Sequence, residues 1–223
     1  MTARRYLLAA SVAAALAVYA LLWTGHVLQW NWLSAMDSSA LEALHRYGAA
    51  RPRWVTGWDV FCTVFGPTVF RLLTLVVIVV ALIQRKLRVA LFLVISVELS
   101  GLVTEIAKLA ADRPRPEGAL VFAHATAFPS GHALGVLVSV LALLTIALPV
   151  TRQPIRPWLI AGGAVIVIAI GVGRVVLNVH HPSDVLAGWA LGYAYFVACV
   201  LIVPPARRAT AADEIPEAPG TAR

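Results

Sequence analysis

The chain has 223 residues, of which 60% are hydrophobic and 13% charged, with a mean hydropathy of +0.83. Charged residues are about half as frequent as in a soluble domain, which excludes an ordinary water-soluble globule and points to an integral membrane protein. The net charge of +7 does not indicate nucleic acid, because Lys and Arg are spread between apolar runs and build no single basic face.

A bilayer core takes about 20 predominantly apolar residues per helix. Six segments qualify: 6–23, 68–83, 89–109, 133–150, 158–177 and 185–203. The expected fold class is therefore all-α, a polytopic six-transmembrane-helix bundle over residues 1–205. The remainder, 206–223, is small, polar and Pro-rich, and is expected to be disordered. The first segment follows Arg4 and Arg5 as in a signal peptide, but it is long for one and no small-residue cleavage site follows, so it reads as a retained helix. The second is the weakest, being short and carrying Arg71, and its start is open as far back as Val60.

The connection 26–67 is flanked by Trp23, Trp30, Trp32, Trp54 and Trp58, an aromatic belt at a membrane–water interface. Within it Ser39-x-x-Glu42 matches a capping box, and Leu41, Leu44 and Tyr47 recur on one face, which predicts an interfacial helix near 37–50. On the third segment Glu98 and Glu105 share a helical face. Glu105 is also spaced to pair with Lys108. Both carboxylates are expected to satisfy cations within the bundle. Cys62 and Cys199 lie far apart, and no C-x-x-C metal spacing occurs.

Orientation follows from the loop cations. Arg4 and Arg5, then Arg85, Lys86 and Arg88, then Arg152 and Arg156, then Arg207 and Arg208 all fall on one side. That side is expected to be cytoplasmic, with both termini there. The connections 26–67, 110–131 and 178–184 then face outward.

The outer connections hold three chemically loaded stretches. In KLAADRPRP, Lys108 closes the third segment, and Arg113 and Arg115 follow in a Pro-punctuated loop. Snorkelling explains one such cation, but three repel one another unless an anion shares the space. In HATAFPSGHALG, Ser130 is a good N-cap, and the free N–H groups behind it form an anion site with His132 in the first turn. In GRVVLNVHHPSD, Arg174 lies inside an apolar run, where a charge is a functional candidate by default. His180 and Asp184 follow, and a carboxylate near His180 would fix its tautomer.

About 40 residues separate His132 from Gly173, which is two bilayer crossings, so the chain returns to the same face. Lys108, Arg115, Ser130, His132, Arg174, His180 and Asp184 thus all reach the outer surface. Two histidines, a carboxylate and three cations suit phosphoryl transfer without a metal. The cations and a helix N-terminus would stabilise the equatorial oxygens, one histidine would attack phosphorus and the other would protonate the leaving oxygen.

These stretches resemble the signature of the type-2 phosphatidic acid phosphatase family: Lys108 with Arg115-Pro116, then Pro129-Ser130-Gly131-His132, then Arg174 with His180 and Asp184. The resemblance implies that His180 is the nucleophile, Asp184 orients it, and His132 is the general acid and later the base. It also implies that Lys108, Arg115, Ser130, Gly131 and Arg174 bind phosphate, with no metal or other cofactor. One departure is Gly173, where the family usually has Ser before the Arg. Altered affinity is expected from it more than lost activity. His181 is an extra imidazole with no catalytic role expected, and His26, His45 and His124 are expected to be solvated.

The expected activity is hydrolysis of lipid phosphates at the outer leaflet of the plasma membrane. Undecaprenyl diphosphate ranks first as substrate, with phosphatidic acid and phosphatidylglycerol phosphate beside it. Two alternatives stand: a vanadium haloperoxidase-like enzyme, disfavoured by the compact membrane-spanning chain, and a non-catalytic lipid transporter or scaffold, disfavoured by the complete histidine–aspartate set.

Overall fold

The computed structural model describes residues 2–123 and 125–205, so the expected disordered tail at 206–223 and His124 lie outside it. Among the described residues all regular structure is helical: α1 (Thr2–Val27), α2 (Asn31–Ala49), α3 (Pro52–Val64), α4 (Pro67–Ile83), α5 (Leu87–Leu93), α6 (Ser100–Ala111), α7 (Gly131–Ala147), α8 (Arg156–Val176) and α9 (Pro182–Ile202). Six stretches are long and apolar enough to cross a bilayer: Arg5–Val27, Pro52–Ile83, Leu87–Ala111, Gly131–Val150, Gln153–Val176 and Pro182–Ile202. The protein is a multi-pass membrane protein with an all-α core.

Three details differ from the sequence reading. The second crossing begins at Pro52, well before Val60, and bends at Gly66 between α3 and α4. Each of these helices opens on a proline at its first position, where no amide partner is missed. The third crossing is interrupted by a π-helical turn, Val94–Glu98, between α5 and α6. Finally, α2 starts at Asn31, so Ser39 lies mid-helix and donates its hydroxyl to Met36 O at 3.1 Å. The Ser39/Glu42 pattern is therefore no cap; a serine inside a helix satisfies its hydroxyl on the preceding turn instead.

Between apolar helices in lipid, close backbone approach and packing do the work that the hydrophobic effect does in water. α7 packs most extensively on α9. Gly188 permits this, since a Cβ there would stand 2.6 Å from Ser130 O and 3.0 Å from Ala133 Cβ. α1 lies against α9 with Ser11 Oγ 2.9 Å from Tyr193 Oη. On the outside, Leu72, Leu73, Val76, Val79 and Ile83 of α4 are exposed, as a lipid-facing stripe requires.

The chain between α6 and α7 is tied down at both ends. Asp112, in the left-handed conformation, stops α6 and accepts the turn into the loop. Further on, Ala127 N donates to Arg113 O at 2.7 Å, and Leu120 N donates to Leu177 O at 3.0 Å, joining this loop to the turn after α8.

Candidate active site

Three helix ends meet at one place. Ser130 caps α7, its Oγ accepting from Ala133 N at 3.4 Å. The amides of Gly131 and His132 then lead the helix, where the first N–H groups have no intrahelical partner. Ser130 N donates to Asp184 O at 2.9 Å, which binds the start of α7 to the start of α9. Asp184 sits in the first turn of α9, where its charge complements the helix N-terminus, and its Oδ2 accepts from His181 N at 2.8 Å. Arg174 occupies the last turn of α8 and is buried.

The turn from Leu177 to His181 brings His180 inward until its ring is 1% exposed. Asn178, in the left-handed conformation, reverses the chain, and Val179 N returns to Arg174 O at 3.2 Å. His180 Nε2 lies 3.3 Å from Arg115 Nη1. A guanidinium can only donate, so Nε2 accepts and the ring proton belongs on Nδ1. That Nδ1 is 3.5 Å from Asp184 Oδ2 and makes no hydrogen bond among the described residues, so the contact is electrostatic rather than a closed bond. Burial pushes the imidazole down from 6.5 to about 4, against the opposing pull of Asp184. The ring is therefore neutral at pH 7.

Asp184 is shared. Its Oδ1 accepts from Arg113 Nη1 at 2.6 Å, and its Oδ2 also faces His181 Nδ1 at 3.2 Å. Arg113 reaches further: Nη2 donates to Asp37 Oδ2 of α2 at 2.8 Å, and Nη1 to Ser183 Oγ at 2.7 Å. Asp37 in turn accepts from Ser183 N at 3.0 Å and from Ser183 Oγ at 2.5 Å. Asp37, Arg113, Ser183 and Asp184 are all buried. Two carboxylates around one guanidinium leave a net negative charge, so Asp184 keeps electrostatic hold on His180.

Lys108 and His132 line one cavity of 370 Å³ between α4, α6 and α7. Lys108 Nζ is 3.8 Å from Glu105 Oε1, at the spacing that permits such a pair. His132 stands within electrostatic reach of Arg174, His180, Arg115 and Lys108. Arg115 is held by Val179 O at 2.6 Å and Ala125 O at 2.9 Å. The expected residues Lys108, Arg115, Ser130, Gly131, His132, Arg174, His180 and Asp184 thus converge.

Gly173 has a local cause. A Cβ there would stand 2.6 Å from Cys62 Sγ and 2.8 Å from the Trp58 ring, because α3 packs directly on α8. The space of the missing side chain is filled by the buried Cys62 thiol, next to Arg174. Of the other histidines, His45 is not simply solvated, since its Nδ1 bonds Gly118 O at 2.9 Å. His26 lies in the last turn of α1, half-buried and stacked on Phe128 with centroids 6.3 Å apart. Sequence reasoning missed Asp37 and the bridging part of Arg113. The available signal was a lone carboxylate on a predicted interfacial helix, which composition does not distinguish from a solvated one.

Residues 89–208 match the PAP2 superfamily. The chain is 32% identical over 166 residues to phosphatidylglycerophosphatase B of Bacillus subtilis, covering 71% of this chain and 80% of that protein. It is 29% identical over 119 residues to an undecaprenyl-diphosphatase of Sulfolobus acidocaldarius, covering 49% of this chain and 52% of that protein. The fold matches the crystal structure of a transmembrane PAP2-type phosphatidylglycerolphosphate phosphatase from Bacillus subtilis, with a TM-score of 0.75, 20% identity, and coverage of 90% of this chain and 99% of that one.

Proposed function

Because the chain belongs to the PAP2 superfamily, the type-2 phosphatidic acid phosphatases, we propose that it hydrolyses lipid phosphates through a phosphohistidine intermediate, without a metal. The observation that carries this is the pairing of a buried, neutral His180, its Nε2 lone pair facing Arg115, with His132 across the same cluster of cations.

The terminal phosphate binds against Lys108, Arg115, Arg174, Ser130 and the leading amides of α7. These groups offset the charge that spreads over the equatorial oxygens in the transition state. His180 Nε2 attacks phosphorus, and the positive charge that develops on the ring is stabilised by Asp184. His132 gives its proton to the departing oxygen, and the dephosphorylated lipid leaves. Water, activated by the now neutral His132, then attacks phosphorus, releasing phosphate and restoring His180. His132 must enter protonated, and the bound phosphate supplies the negative charge that favours this.

The substrates proposed are undecaprenyl diphosphate, phosphatidic acid and phosphatidylglycerol phosphate. The loop cations favour the outer face of the plasma membrane for the site and the cytoplasm for both termini, by the positive-inside bias.

The test is phosphate release by detergent-purified protein in excess chelator, from the three lipids in parallel, with His180→Ala as control. Release from wild type that vanishes in the variant is expected. Release that chelator abolishes would contradict the metal-free chemistry.

A further inference from the structure

The cavity holding Lys108 and His132 continues toward the membrane interior, and its deeper wall carries charge that the mechanism above does not use. Arg71 of α4 and Glu98 of the π-helical turn line it together with Gly101. Among the described residues Arg71 makes no hydrogen bond and no ion pair within 4 Å, and its Nε is buried without a partner there. Glu98 Oε1 is likewise buried and unpartnered. Buried polar atoms are nearly always satisfied, and a charge within a bilayer segment is costly. Here the two opposite charges lie close enough to feel one another but do not close into a pair.

Local structure holds them in that state. Glu98 ends a π turn, a backbone irregularity that recurs at functional sites. Gly101 makes room for the guanidinium, since a Cβ there would collide with Arg71 Nη2. Gly101 and Lys108 are seven residues apart on α6, about 10 Å along the axis. The Lys108 side chain leans back toward the start of its helix, which shortens the gap between the two cations.

We propose that Arg71 is a second phosphate subsite, on the lipid side of the catalytic pocket, and that it selects lipids carrying two phosphates over lipids carrying one. This rests on the phosphatase activity proposed above. The terminal phosphate occupies the Lys108–His132 end and is cleaved. The phosphate that stays with the lipid, whether joined directly as a diphosphate or across a glycerol, takes the Nη–H donors of Arg71. Glu98 balances Arg71 while the cavity is empty, which keeps the cation tolerable in the bilayer without occupying its donors.

The test uses Arg71→Met and Gly101→Ala; the latter keeps the charge but displaces the guanidinium. The lipids are undecaprenyl diphosphate, phosphatidylglycerol phosphate and phosphatidic acid, with kcat/KM measured for each. In both variants the ratio of two-phosphate to one-phosphate lipid should fall about tenfold or more, the size of one charge-assisted contact. A fall for the diphosphate alone assigns the subsite to a directly joined phosphate, and a fall for phosphatidylglycerol phosphate alone assigns it to one across a glycerol. Binding of methylenediphosphonate against inorganic phosphate is measured in parallel and needs no turnover. Wild type should prefer the diphosphonate, and both variants should lose that preference. Absence of turnover from any lipid would refute the phosphatase activity while the binding ratio still judges Arg71. Unchanged kcat/KM ratios in both variants would overturn the subsite, and a wild type that binds the two anions equally would overturn its occupation by a directly joined phosphate.

Discussion

Nη1 of Arg113 stands 2.6 Å from Oδ1 of Asp184, with both residues buried, while Nη2 of the same guanidinium holds Asp37 of α2 at 2.8 Å. Helix α2 is thereby fastened to the carboxylate beside His180. Arg113→Met leaves two buried carboxylates facing one another, and breaking such a pair costs about 3–5 kcal/mol. A large fall in the thermal midpoint in detergent is expected, with kcat falling too. Arg113→Lys should be intermediate, because an ammonium lacks the fork that serves both carboxylates. A midpoint equal to wild type in Arg113→Met would show that the bridge contributes nothing.

Gly173→Ser restores the family's usual residue yet should lower activity here, since the new Cβ would stand 2.6 Å from Cys62 Sγ. The clash pushes either α3 or Arg174 out of place. Cys62→Ala removes the obstructing sulfur, so the double variant should recover part of the loss, the Trp58 ring still standing 2.8 Å from the new Cβ. The four kcat/KM values of that double-mutant cycle check the coupling; losses that simply add would contradict it.

His180 titrates at about 4, pushed down from 6.5 chiefly by burial. Nitrogen NMR of the substrate-free protein, with His180→Gln to assign the signal, should find the ring neutral down to about pH 5. In Asp184→Asn the value should drop further, because a stabilising negative charge is lost. The unfolded chain takes up this proton near 6.5 and the folded protein only near 4, so the contribution is complete above 6.5 and is lost as pH falls through that window. Titration of the folded ring at its ordinary value would contradict the burial.

If His132 protonates the leaving oxygen, the need for it depends on how good that oxygen is at leaving. His132→Ala should lose about 10²–10⁴-fold in kcat/KM on a lipid substrate, the usual worth of a general acid. The loss should shrink markedly with p-nitrophenyl phosphate, whose leaving group needs no proton. Equal losses on both would move His132 to phosphate binding alone.

Much of the fold was legible because six apolar runs of bilayer length admit few arrangements, and because Ser130 marks a helix start plainly. That His132 and Arg174 return to one face followed from spacing, since two crossings separate them; the roles of the site residues came only with the family resemblance. The π turn at Val94–Glu98 and the bend at Gly66 were not legible, because hydropathy is blind to where a helix changes pitch within an apolar run. The capping-box pattern at Ser39 misled for a related reason: a short polar motif looks the same inside a helix as at its start. The bridge from Arg113 to Asp37 was hidden by sequence distance, its two residues 76 apart and joined only by tertiary packing. Gly173 looked like a defect until Cys62 was found in the vacated space.

The central claim is that phosphate passes through His180. Protein mixed with a lipid phosphate labelled in its terminal phosphorus, stopped with alkali within the first turnover and mapped by peptide mass, tests it directly. A base-stable phosphoryl group on His180, absent from His180→Ala, is expected. Label on His132 instead, or full-rate phosphate release from His180→Ala, would contradict it.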